Sequence, residues 1–233
     1  MHRSRVFRPL SYVLGLLPIA TALAAGAGVS GRVVDADGKG VAGAVVFVQS
    51  PADSAAPTGG HPRAAMDQVN KTFVPGVLPV AVGTEVRFPN HDQIQHHVYS
   101  FSRTKSFELP LYKGQDAPPV LFDKPGVVKI GCNIHDWMSA VILVLPSRHY
   151  SVTDADGRFT LSDLPAGDYT LAAWHESSRT KLEETLRPIH VTRNGGEVSA
   201  STATDAATSG ITFTLTLAPV RSRPPIHGTR RDP

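Results

Sequence analysis

Residues 129–144 read KIGCNIHDWMSAVILV, and the fold turns on how this stretch is parsed. Its second half, extended to Leu145, is a run of Val, Ile and Leu without a polar break. It is rich in β-branched residues, so it reads as a strand. Cys132, Asn133, Ile134 and His135 then fall where a preceding strand turns into it. Similar runs recur in both directions: GAVVFVQS (43–50), LPVAVGTEVRF (78–88), VVKIGC (127–132), RFTLSDL (158–164), DYTLAAW (168–174) and ITFTLTL (211–217). Gly, Pro, Asn and Asp punctuate them, and no segment keeps a 3.6-residue apolar period. The expected fold class is all-β, built as two β-sandwiches. SSRTKLEET (177–185) reads equally as a helical turn or a polar loop.

The first residues bear on compartment. MHRSRVFRPLSYVLGLLPIATALAAGA carries Arg3, Arg5 and Arg8, then an apolar run from Leu10, then small residues with Ala22 and Ala24 in an A-x-A arrangement. That layout predicts a secretory signal over residues 1–24, with a periplasmic or secreted mature chain. The apolar run is shorter than the ~20 residues of a membrane span, and Pro18 interrupts it. Removing the three arginines of that segment leaves 20 basic residues against 20 acidic ones. No nucleic-acid role is therefore expected, and the residual basic character sits in a Pro-rich tail, residues 220–233, read as disordered. In an oxidising compartment the chain's one cysteine, Cys132, cannot close an internal disulfide.

Two features suggest the domain layout. PADSAAPTGGHPR (51–63) has linker composition. VVDADGKGVAGAVVFV (33–48) and SVTDADGRFTLSDLPAGDYTLAAW (151–174) share DADG between strand-like runs, which reads as a tight turn and not as a calcium loop. These two segments resemble the opening and the later part of a carboxypeptidase regulatory-like domain, a transthyretin-like sandwich with a carbohydrate-binding-like fold. About a hundred residues separate them here. The resemblance implies one sandwich split into residues 25–50 and 147–219, with a second domain, 64–146, inserted; the other order makes 25–50 an extra strand of the central domain.

The central segment carries the chemistry. A thiolate and a thioether are soft ligands, and imidazole suits copper. Cys132, His135 and Met138 supply three of the four groups of a blue-copper site, two His, one Cys and a weak axial Met. The fourth must come from a remote strand, and VGTEVRFPNHDQIQHHVYSF (82–101) offers His96 and His97. Strand neighbours face opposite ways, so one of the two is expected to point at the metal. Alternation leaves the choice open, because the face of 97, 99 and 101 carries Tyr99 and Phe101 and looks the more core-like.

Residues 64–146 resemble a cupredoxin of the amicyanin and plastocyanin kind: AMDQVNKTFVPGVLPVAVGTEVRFPNHD, then HHV, then FDKPGVVKIGCNIHDWM, then the closing strand AVILVLP. The short C-x2-H-x2-M loop looks amicyanin-like. The resemblance implies a Greek-key sandwich and one type 1 copper held by His96, Cys132, His135 and Met138, with His96 favoured by its spacing from Asn90. His97 stands where many cupredoxins have an Asn tying the ligand loops together, and Asp136 where many have Pro. Chains combining these two domains are often labelled methylamine-utilisation proteins. The implied function is a one-electron carrier and not an enzyme, serving a redox partner such as an enzyme or a cytochrome. The alternatives are a non-redox copper-binding or delivery protein, and a carbohydrate- or protein-binding module with a vestigial cupredoxin domain. Zinc is disfavoured because Met138 is a poor zinc ligand. His91, His149, His175 and His190 are expected to be surface or hydrogen-bonded histidines.

Overall fold

The structure is a computed structural model and describes residues 28–50, 60–114, 117–194, 197–201 and 210–219. The predicted signal segment, the predicted basic tail and most of the predicted linker lie outside the described residues. Two strands come first, β1 (Gly28–Asp35) and β2 (Val45–Ser50). Next come β3 (Arg63–Ala65), β4 (Asp67–Val69), β5 (Thr72–Val74), β6 (Val77–Ala81) and β7 (Thr84–Arg87). They are followed by β8 (His96–Phe101), β9 (Ser106–Tyr112), β10 (Val120–Phe122), β11 (Gly126–Cys132) and β12 (His135–Leu145). The chain finishes with β13 (Tyr150–Val152), β14 (Arg158–Ser162), β15 (Gly167–Trp174), β16 (Arg187–Asn194), β17 (Glu197–Ser201) and β18 (Ile211–Leu215). The protein is all-β; SSRTKLEET contributes only a 3-10 turn, Leu182–Thr185.

Strand pairing joins the chain's beginning to its later part. β1 pairs with β14 antiparallel and with β18 parallel, while β2 lies between β13 and β15 in a sheet ordered β13-β2-β15-β16-β17. Their inward faces share one core, in which Val29, Val33, Val46, Val48, Phe159 and Phe213 meet. The alternation along β14 and β18, buried against exposed residue by residue, is what a strand with one dry face requires. The two DADG segments are the turns that hold this unit square. Asp35 Oδ1 accepts the N–H groups of Asp37 and Lys39, Asp154 Oδ1 those of Asp156 and Arg158, and Gly38 and Gly157 take the left-handed φ each turn needs, 80° and 76°. Those carboxylates cap their own backbone.

β3 to β12 form a second unit. Its five-stranded sheet runs β6-β12-β11-β8-β9, opposite the three-stranded sheet β10-β7-β3 and the β4–β5 hairpin. Between them lies a core of Met66, Phe73, Phe88, Phe122, Ile130 and Ile142.

A third apolar cluster lies between the two units, made by Val45, Phe47, Leu143, Leu145 and Ala172 with Val77, Val127, Trp174 and Leu182 against it. This explains why AVILVL, VVFV and LAAW do not alternate. On β12, Ile142 and Val144 face the central core while Leu143 and Leu145 face the other unit. On β2, Val46 and Val48 face inward while Val45 and Phe47 cross over to meet them. Each fully buried side chain of this size contributes ~1.5–3 kcal/mol.

Candidate metal centre

β11 ends on Cys132 and β12 begins on His135, leaving Asn133 and Ile134 as the turn. The pairing then breaks step: Gly131 lies opposite Ser139, but Cys132 lies opposite His135, so Asp136, Trp137 and Met138 bulge out of the ladder. The bulge matters because residues three apart on a regular strand point to opposite faces. Here His135 reaches Cys132 and Met138 is also turned inward, 2% exposed, into the core that holds Cys132.

The fourth group arrives from β8. The backbone of Tyr99 pairs with that of Gly131, which brings the start of β8 beside the end of β11. His96 is fully buried, its Nδ1 3.8 Å from Cys132 Sγ, while His135 Nδ1 lies 3.7 Å from the same sulfur. The two rings are 5.0 Å apart between centroids, and the ligand atoms of all three residues fall within 4.8 Å of one another.

His97 goes the other way. Its Nε2 meets Glu108 Oε1 at 2.8 Å and its ring packs near Tyr99, on the outer face of the sheet. It does not tie the ligand loops. The expectation that the face of Tyr99 and Phe101 is the more core-like is corrected here: Val98 and Ser100 are buried, while Phe101 is 81% exposed. Val98 packs in the core shared with Phe73, Phe88 and Phe122, and His96 and Ser100 are buried on the same face of β8.

The donors fit a metal ion. With bonds of roughly 2.0–2.1 Å to nitrogen and 2.3 Å to sulfur, donors set at 120° stand ~3.8 Å apart, and at the tetrahedral angle ~3.6 Å. The observed 3.7 and 3.8 Å fall in the range that one shared ion requires. A thiol proton can be given to only one of the two rings, whereas one cation takes a lone pair from all three donors. Burial, reinforced by the neighbouring His96 and Lys71, pushes the His135 imidazolium below its usual range, which keeps the ring neutral and able to donate.

Sequence reasoning missed what stands behind these donors. Asp92 accepts the His96 Nε2–H at 2.8 Å. Burial works to raise its carboxyl, but the hydrogen bonds from His96 and from the N–H groups of Lys71 and Asn70 outweigh that and hold it below the ordinary value. The only sequence signal was an acid four residues before a candidate ligand. Asn90 ties the loop instead: its Nδ2 donates to the carbonyls of Ile94 and Tyr112. Tyr112 in turn donates to Phe88 O and accepts from Gln68 Nε2, in a buried network beside His96.

Outside the centre, Ile134 and Trp137 are about half exposed, and the Trp137 ring lies 5.3 Å from His135. A depression of about 490 Å³ reaches Cys132 and Met138 from the flank, between Tyr99, Phe101, Lys129 and Asp136. Of the other histidines, His91 pairs with Asp67, His190 with Asp168, and His175 is partly buried.

No protein-family model matches the sequence, and no curated protein does. Solved structures similar to this chain include cupredoxins. A copper-containing nitrite reductase from Thermus scotoductus is 27% identical over 42% of this chain, with a TM-score of 0.34, and the chain spans only 25% of it. A purple cupredoxin from Nitrosopumilus maritimus is 25% identical over 36% of this chain and 98% of its own, TM-score 0.31. A reduced amicyanin carrying a tryptophan-to-tyrosine substitution is 22% identical over 43% of this chain and 97% of its own, TM-score 0.33.

Proposed function

We propose that the unit formed by β3 to β12 is a cupredoxin domain holding one type 1 copper, and that the protein is an exported one-electron carrier. The observation that supports this is the convergence of two imidazole nitrogens on one buried thiol sulfur at 3.7 and 3.8 Å. His96, Cys132, His135 and Met138 would hold the ion. Bound copper would take up and give back a single electron.

The chain's own contribution is to keep the donors still. Cys132 and His96 sit on adjacent strands of a packed sheet, so their separation is set by the ladder and not by a loop. His135 is the ligand at the rim, partly exposed and flanked by Ile134 and Trp137, which makes its ring edge the place where an electron enters and leaves. The redox partner would be an enzyme or a cytochrome that meets this rim. The split sandwich would be the carboxypeptidase regulatory-like domain, supported by the pairing of β1 and β2 with β13, β14, β15 and β18 across residues 64–146.

Copper titration of the purified chain tests the reading. The expected product has an intense visible thiolate-to-copper band, a compressed EPR hyperfine splitting and a reversible potential. Cys132→Ser and His96→Ala remove the band. His97→Ala leaves it in place. His96→Ala lowers copper affinity by more than the roughly 10–100-fold that loss of an outer-shell partner costs. A colourless product with an ordinary Cu(II) spectrum overturns the proposal.

A further inference from the structure

We infer that Asp92 is a positioning residue that acts through His96 and sets the preference of the centre for the higher oxidation state. The inference rests on the copper reading above. Its first support is geometric. Asp92 Oδ2 lies 2.8 Å from His96 Nε2, the His96 side chain is fully buried and that of Asp92 is 12% exposed. An ionised carboxylate can only accept, so Nε2 carries the ring proton and the Nδ1 lone pair is the one left facing Cys132.

The second support is how firmly Asp92 is itself held. The backbone N–H of Asn70 donates to Oδ1 at 2.6 Å, and that of Lys71 to Oδ2 at 2.7 Å. Both residues are left-handed, with φ of 54° and 57°, because they form the two-residue tip of the β4–β5 hairpin. That conformation turns two successive N–H groups toward one carboxylate. The Asp92 N–H also donates to Asn90 Oδ1 at 2.9 Å. The carboxylate therefore has no freedom to swing from the ring, and the hairpin tip, Asp92 and His96 form one rigid chain of hydrogen bonds.

The third support is asymmetry. Among the described residues, His135 has no carboxylate partner; its ring meets Cys132, His96 and Trp137. Negative charge behind one imidazole makes that ring the stronger donor, and a doubly charged ion gains more from a stronger donor than a singly charged one does. Asp92 thus favours Cu(II) over Cu(I), and it does so from behind the buried ligand, away from the rim where the electron passes.

Asp92→Asn is the test, since it removes the charge while keeping an oxygen that can accept the Nε2–H. Cu(II) affinity should fall ~10–100-fold with a smaller loss for Cu(I), and the midpoint potential should rise by about 59 mV for each tenfold change in their ratio. A purely structural role would weaken both oxidation states alike and leave the potential unmoved; that result overturns the inference. Nitrogen NMR of the metal-free wild-type chain gives an independent readout. It should show His96 as the Nε2–H tautomer, and an Nδ1–H ring would refute the inference whether or not copper binds. If the chain takes up no copper, the copper reading fails on its own. If Asp92→Asn does not fold, the tautomer of the wild-type chain decides.

Discussion

His96 and His97 are neighbours with opposite surroundings, and the pleat alone separates them. Alternation could not rank the two imidazoles, because the aromatic residues at 99 and 101 mimicked an inward face; only the family spacing from Asn90 favoured His96. What decides the matter lies elsewhere in the chain: Val98 joins the core of Phe73, Phe88 and Phe122, which puts His96 and Ser100 on the buried face of β8 and Tyr99 on the other. Tyr112 shows the same dependence on distant partners. Burial pushes its phenol from an ordinary 10.0 up to about 12, with the Gln68 hydrogen bond opposing and the charge of Cys132 adding. A raised acid means that the unfolded chain loses its proton first. The stabilisation is complete below pH 10 and is lost as pH rises from 10 through about 12, on the order of 2–3 kcal/mol in all. Tyr112→Phe should flatten that alkaline limb. At neutral pH it should cost about 1–3 kcal/mol, since Phe88 O loses its phenol donor in a buried site. Denaturant melts between pH 7 and 12 check both, and an unchanged alkaline limb would show that Tyr112 is not the group titrating.

At the level of elements, the β11–β12 hairpin was legible and its irregularity was not. C-x2-H-x2-M before an apolar run places a turn and a strand, but simple alternation would have sent His135 and Met138 to opposite faces. The bulge over Asp136–Met138 reconciles them, and nothing in the composition of that stretch announces it. Gly131 has an equally specific reason, visible only across strands. A Cβ there would stand 3.1 Å from the Tyr99 hydroxyl oxygen and 3.2 Å from Cζ, closer than side chains normally approach. The Tyr99 ring therefore covers the residue before Cys132. Gly131→Val should destabilise by about 1–3 kcal/mol as the ring is forced aside. Combining it with Tyr99→Ala should cost less than the sum of the two, a coupling of ~0.5–3 kcal/mol that marks contact across β8 and β11. Urea melts of the two single variants and the double complete the cycle, and strict additivity would mean that the ring does not bear on Gly131.

For the whole molecule, the repeated DADG turns and the unbroken apolar runs were readable as sequence, whereas what covers those runs was not. A run such as AVILVL declares that both faces are dry without naming the second partner. The partner is another sheet of the same chain: Leu143 and Leu145 meet Val45, Phe47 and Ala172. The two units are thus joined by an apolar contact at one end of β12, while His135 stands at the other. Leu143 and Leu145 lie eight and ten residues beyond His135, at most about 26 and 33 Å at ~3.3 Å per residue, and less across the Asp136–Met138 bulge. The contact should therefore govern stability and leave the donors alone. Leu145→Ala should cost about 2–5 kcal/mol and Phe47→Ala about 3–5 kcal/mol, with the pair coupled because they share one cluster. In the folded fraction, the copper spectrum and potential should match the parent chain. The wild type should melt in one transition, because neither unit can expose that face to water without losing the burial that completes its outer strands. Two separate transitions, or additive costs for Phe47 and Leu145, would mean that the units do not support each other and that β12 is dry on that side for some other reason.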